Sequence, residues 1–217
     1  MLRRVRLPVL LLFLLGGCMT TAYRPMTAAD RDKSDAAMPE IQREVTYRVA
    51  DALYAQAPAC VVVWPMDGRG RSAIESAAAR YLSGKIRRVI GPSHRDRLAR
   101  AGAFDLRETE DRRAFARTHA CAHGLEIVSG NASRDYFVVW SQQSLSLELA
   151  FRSARSGEIL WQARHTARRS DGGLPLSPVS FVLDTAAATN HQSDDDVARS
   201  LIDDALRRMF VTLPDFR

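Results

Sequence analysis

The sequence predicts an α/β fold: a central mixed sheet of parallel strands, completed by a C-terminal antiparallel hairpin and packed with helices. Three observations predict it. Short apolar, β-branched runs at 60–65, 88–91 and 124–130 are separated by segments with apolar residues every three or four positions, the order that gives parallel strands with helical crossovers. From Ser144 to Phe151 the chain alternates strictly, with Leu145, Leu147, Leu149 and Phe151 on one face. Residues 153–157 then supply a turn containing Gly157, and Ile159, Trp161 and Ala163 alternate on the way back.

The chain opens with Arg3, Arg4 and Arg6, followed by an unbroken apolar run from Leu7 to Leu15. A cationic start, a short apolar run and small residues make a secretory signal. The run is less than half of the about 20 residues that an apolar helix needs to cross a bilayer. Leu15-Gly16-Gly17-Cys18 closes it and resembles the bacterial lipobox; an ordinary cleavage site is the alternative. The resemblance implies a lipoprotein signal over 1–17. Cys18 then becomes the first mature residue, carrying diacylglycerol on its thiol and an acyl group such as palmitate on its amine. Met19, rather than Asp, follows. By resemblance to proteobacterial lipoproteins this favours the outer membrane, with the body facing the periplasm.

Of the 217 residues, 200 remain after the signal, enough for one domain and a tether. Half of the formal charge of +6 leaves with the three signal arginines. The other arginines are interleaved with Asp and Glu, as on a solvated surface, and export removes nucleic acid as a partner. Residues 18–38 are polar and alanine-rich and read as a flexible tether. Residues 39–213 read as a single α/β domain.

Within that domain, Pro39 starts a helix to about Ala55, on whose face Ile41, Val45, Val49 and Leu53 recur every four residues. The 60–65 strand follows. Ser72 and Glu75 form a capping box for a helix burying Ile74, Ala78, Tyr81, Leu82 and Ile86. After the 88–91 strand, Ser93 caps a brief helix with Leu98 and Ala101, and Thr109 caps another through Phe115 to about Ala122. Residues 136–140 are aromatic and β-branched. No pair of long alternating segments suggests a barrel. Residues 169–193 lack any period and form either a partner-binding loop or a lid on the core; Leu174, Leu176, Val179, Phe181 and Leu183 are its candidate contact residues. Ser193 caps the last helix, with Asp194, Asp195 and Asp196 in its first turn and Val197, Leu201, Ala205 and Met209 on its buried face.

Three residue groups invite a chemical reading. Gly68-Arg69-Gly70-Arg71-Ser72-Ala73 matches G-x-G-x-x-A between strand and helix, but no acidic residue ends the next strand, so a tight turn is favoured over a dinucleotide site. His119 and His123 share a helical face by spacing, yet no third ligand is fixed nearby, so no metal site is expected. No nucleophile elbow or paired catalytic carboxylates are found, so neither an enzyme nor a cofactor is expected. Cys60 and Cys121 fall at the same end of neighbouring parallel strands and are expected to form a disulfide. It would close a loop of about 60 residues, worth ~3–4 kcal/mol on the chain-entropy model.

The lipobox, the Val61-Val62-Val63-Trp64-Pro65 strand and the hairpin turning through Ser156-Gly157-Glu158-Ile159-Leu160-Trp161 together resemble a group of envelope lipoproteins. Their bodies are similar to the TolB amino-terminal domain, and the group includes the curli secretion and penicillin-binding-protein activator lipoproteins. The resemblance implies a non-enzymatic binding or assembly factor, and for some members a ring. Its implied partners are the membrane, through Cys18, unidentified envelope proteins and further copies of the chain. The expected contact surfaces are the 169–193 loop and the hairpin at 152–158. An envelope hydrolase, metal-dependent or not, and a subunit of a ring-forming secretion complex are the alternatives.

Overall fold

Eight strands build one mixed sheet in the computed structural model, which describes residues 21–27, 30, 44–68, 70–129, 133–137, 140–171 and 191–217. The elements are β1 (Ala22–Pro25), β2 (Glu44–Val49), α1 (Asp51–Ala55), β3 (Cys60–Val63), α2 (Arg71–Ser83), β4 (Arg88–Ile90), α3 (Pro92–Ala101) and α4 (Thr109–Thr118). They continue with β5 (His123–Ser129), β6 (Ser133–Phe137), β7 (Trp140–Ser153), β8 (Ile159–Asp171) and α5 (His191–Val211). The strand order is β1-β2-β8-β7-β5-β3-β4, with β6 pairing β7 beside that path. Strands β3, β4 and β5 are parallel, while β5-β7, β7-β8 and β8-β2 are antiparallel. This is the expected mixed α/β sheet.

Side-chain alternation sorts the sheet into two faces. On one, Val45, Leu125, Ile127, Leu147, Leu149, Phe151, Trp161 and Ala163 pack against Ile74, Ala78 and Leu82 of α2 and Leu201, Ala205, Leu206, Met209 and Phe210 of α5. On the other, Cys60, Val62, Trp64 and Ile90 pack against Ala99 of α3 and Phe115 of α4. β3 is buried on both faces, as its unbroken apolar run requires. Gly124 of β5 is held at glycine by Trp64, since a Cβ there would lie 1.8 Å from the indole nitrogen.

Several local expectations are corrected. Of the helix expected over 39–55, residues 39–43 lie outside the described residues, and the remainder is strand β2 followed by the short α1. Val45, Tyr47 and Val49 satisfy a period of two as well as one of four, and the antiparallel ladder to β8 (Val45 opposite His165, Val49 opposite Trp161) selects the strand. Within the supposed 18–38 tether, Ala22–Pro25 forms β1, paired in parallel with β2. Gly70, at φ +71, caps α2 from its backbone alone. Glu75 is therefore no partner in a capping box; it is buried, and its carboxylate is engaged elsewhere. Gly91 and Glu108, not Ser93 and Thr109, precede α3 and α4. α5 begins at His191, so Ser193 lies within it rather than before it. Tyr136 and Phe137 close β6 and Trp140 opens β7, while 138–139 lie outside the described residues. The two arms of the β7-β8 hairpin are 14 and 13 residues long, a pair of extended segments that alternation alone had not revealed.

Candidate functional site: the two ends of the sheet

The sheet has two chemically distinct ends. β1 and β2 start at one of them, here the proximal end, and β8 finishes there. β3, β4 and β5 start at the opposite, distal end, which also carries the β7-β8 turn at 154–158. Cys18 lies four residues before Ala22, so its Cα can be no more than about 14 Å from the start of β1. Any anchor at Cys18 therefore holds the proximal end close to the membrane. Arg208 donates to the hydroxyl of Thr21, which fixes the chain just before β1 against α5. Arg24 is paired with both Glu44 and Asp30, and this holds the Asp30 carboxyl well below the usual carboxylate range. Cys18 itself lies outside the described residues.

The distal end is cross-linked. Cys60 and Cys121 are joined as a disulfide with Cα atoms 4.9 Å apart, at the starts of neighbouring parallel strands. The Arg88 guanidinium donates to Cys60 Sγ at 3.0 Å and to the carbonyls of His119 and Ala120, tying β4 to the end of α4. The hairpin turn joins the same corner through Ala154 N–H and the Ala122 carbonyl, 2.8 Å apart. Gly157, at φ +75, permits the turn itself.

The two histidines do not share a helix. α4 ends at Thr118, so His119 follows it and packs on Phe115 at 4.4 Å. His123 opens β5 with the parity of Leu125, on the opposite face, and stacks on Phe151 at 5.6 Å. No metal-binding cluster of three ligands occurs among the described residues. Burial holds the His123 imidazole below its ordinary pKa, opposed by a weaker hydrogen bond to the Cys60 backbone. Its Nδ1 has no hydrogen-bond partner among the described residues. A depressed folded value means that the unfolded chain binds the proton more tightly. The contribution of His123 is thus full above the unfolded pKa of ~6.5 and is lost as pH falls below it. Urea unfolding of wild type and His123→Phe should accordingly diverge in slope between pH 7 and pH 5, wild type losing more stability. Parallel curves would remove this assignment.

On the face that carries α3 and α4, polar side chains of β5, β7 and β8 are paired with one another and with α4. Glu126 accepts from Arg152 at 2.6 Å and Arg112 at 3.2 Å, and Glu148 accepts from Arg164 at 2.6 Å. These pairs are partly exposed and organise the surface more than they stabilise it. At the proximal end of β3 a buried ion pair was missed from sequence. Arg95 of α3 meets Glu75 of α2 at 2.9 Å and donates to the Val63 carbonyl at 2.7 Å, while Glu75 accepts from Met66 N–H at 2.9 Å. A Glu in an apparent capping box gave no sign of this role. Gly68 and Gly70 belong to the turn that feeds α2, as expected. Leu174, Leu176, Val179, Phe181 and Leu183 lie outside the described residues. β8 ends at Asp171, at the end of the sheet opposite the 152–158 turn.

No protein-family model and no curated protein matches the chain. Among solved structures, lipoprotein GNA1162 from Neisseria meningitidis is similar at 16% identity and a TM-score of 0.44, over 63% of this chain and 99% of that one. A PelC dodecamer from Paraburkholderia phytofirmans is similar at 12% identity and a TM-score of 0.44, over 80% and 98%. A minor lipoprotein from Acinetobacter baumannii follows at 14% and 0.38, over 72% and 97%. Superpositions this loose assign no function.

Proposed function

We propose that the protein is an outer-membrane lipoprotein, anchored through Cys18 and facing the periplasm, that acts without catalysis as a binding or assembly factor for envelope proteins. The single observation that carries this reading is the placement of β1. It leaves only Met19 to Thr21 between Cys18 and the sheet, so an acylated Cys18 holds the domain with its proximal end to the membrane. The hairpin turn then stands at the opposite end. β8 is 13 residues long, which sets the turn about 40 Å from the proximal end. The disulfide and Arg88 brace that corner, and a braced surface loses little entropy when a partner binds. The resemblance to binding and assembly lipoproteins points the same way.

The test is a photo-reactive residue at Arg155 in the full chain, expressed in cells with native Cys18 or with Cys18→Ser. With Cys18, the chain should fractionate with membranes and give discrete crosslinked protein adducts. The Cys18→Ser chain should appear in the soluble fraction and its adducts should fall at least several-fold, since two acyl chains anchor stably where none do. An anchored chain that gives no adduct from Arg155 would remove the distal end as the contact surface.

A further inference from the structure

We propose that the outer face of α3 is a lateral docking site for an acidic helix of an envelope protein, one that carries Asp or Glu at positions three or four residues apart. The inference rests on the binding reading above and names the chemistry of one partner. It places that partner on the flank of the domain, away from the hairpin turn.

α3 buries Arg95 and Ala99 against the sheet. At 3.6 residues per turn its exposed side chains, Ser93, His94, Arg97, Arg100 and Ala101, fall within an arc of about 120° on the opposite side. That arc carries two guanidiniums and an imidazole and no carboxylate. The one acid of α3, Asp96, is turned to Arg95 at 2.8 Å. The side chains of His94, Arg97 and Arg100 have no partner among the described residues. On the strands, by contrast, Arg152 meets Glu126, Arg164 meets Glu148, and Arg24 meets Asp30 and Glu44. Like charges one turn apart on a helix oppose one another, and an anion laid along them removes that cost.

Spacing selects the form of the anion. Residues three or four apart on a helix have Cβ atoms about 5–6 Å apart, so carboxylates at that spacing on a second helix face Arg97 and Arg100 one to one. Ser93 and Ala101 bracket the charged residues along the axis and are small, which lets a second helix approach to the usual ~8–10 Å.

The path of α3 favours a protein over a lipid surface. Arg95 meets the Val63 carbonyl at the proximal end of β3, while Phe104, just after the helix, packs on His119 beside the distal disulfide. α3 thus runs from the proximal toward the distal end. With Cys18 anchored, its charged face stands on the flank and rises about 9 Å from His94 to Arg100. A flat bilayer under the proximal end cannot cover that length, whereas a helix standing beside the domain can.

The test titrates the full chain, in neutral detergent at low salt, into a fluorescent helical peptide of about 20 residues with Glu at every third or fourth position of one face. A twin peptide carries Gln instead. The Glu peptide should bind saturably and at least about tenfold tighter than its twin, and 1 M salt should release it. An exposed ion pair strengthens association by up to about fivefold, so Arg97→Glu/Arg100→Glu, which adds repulsion as well, should raise Kd at least about tenfold. Arg48→Glu/Arg207→Glu makes the same change in net charge at exposed positions on β2 and α5 and should shift Kd less than about threefold. Should the α3 charge reversal disturb the far-UV spectrum, Arg97→Gln/Arg100→Gln gives the same reading with a loss of at least about threefold. Equal losses in the α3 and control variants, an unchanged Kd in the α3 variant, or equal binding of the two peptides each overturn the site. Displacement of the peptide by micelles doped with phosphatidylglycerol assigns the face to lipid phosphate and overturns it too. If the titration behaves as expected while the Arg155 crosslinks fail, the distal contact falls and the α3 site holds. The reverse outcome removes the α3 site alone.

Discussion

Arg95→Met should destabilise the domain by about 3–5 kcal/mol, because it leaves the Glu75 carboxylate charged, buried and unpaired. Both side chains of the pair are 4% exposed. The pair also spans the molecule: Glu75 belongs to α2 on one face of the sheet and Arg95 to α3 on the other. Between them they satisfy the Val63 carbonyl and the Met66 N–H, where β3 ends and the chain turns toward α2. Arg95 further holds Asp96 at 2.8 Å. Arg95→Met/Glu75→Met should recover part of the loss by removing both charges, but not all of it. The two backbone groups stay buried without partners, each costing about 1–3 kcal/mol. Urea denaturation of the three proteins at neutral pH measures this. A single variant within about 1 kcal/mol of wild type would sink the argument, as would a double variant equal to wild type.

Removing the disulfide should be nearly as costly. Cys60 and Cys121 are 61 residues apart, and on the chain-entropy model the loss of such a cross-link costs ~4 kcal/mol. For a chain of this length that corresponds to roughly 10 °C in Tm. Cys60→Ala/Cys121→Ala should still fold, since both positions sit among Val62, Phe115 and Ile90 in an apolar cluster that tolerates small side chains. Its thermal midpoint should match that of wild type in reductant. If wild type keeps its midpoint in reductant while thiol labelling shows both cysteines free, the cross-link contributes nothing and the entropic account fails. The distal hairpin turn, bonded to Ala122 beside the bridge, should then exchange its amides no faster in the double variant.

Much of the fold was legible because each element was over-determined locally. β3 is an apolar β-branched run that can only be buried on both faces, and β7 alternates without a break from Leu145 to Phe151. The bridge between Cys60 and Cys121 followed from strand order alone, since parallel neighbours begin at the same end. Residues 44–55 were not over-determined. A period of four is also a multiple of two, so Val45, Val49 and Leu53 could not distinguish helix from strand; pairing with β8 did. The same holds for 22–25, a polar tetrapeptide with no strand signal, which is extended because β2 offers it a free edge.

The sequence by itself determined the mixed sheet and the cysteine pair, because buried strands and chain order are read from local composition and spacing. Only the tertiary structure decided that Glu75 answers Arg95, that His119 and His123 lie on opposite faces, and that β1 starts at the end of the sheet where β6 meets β7. These are relations between residues far apart in the chain. They are fixed by strand register and by the cost of burying an unpaired charge, neither of which acts until the sheet has assembled.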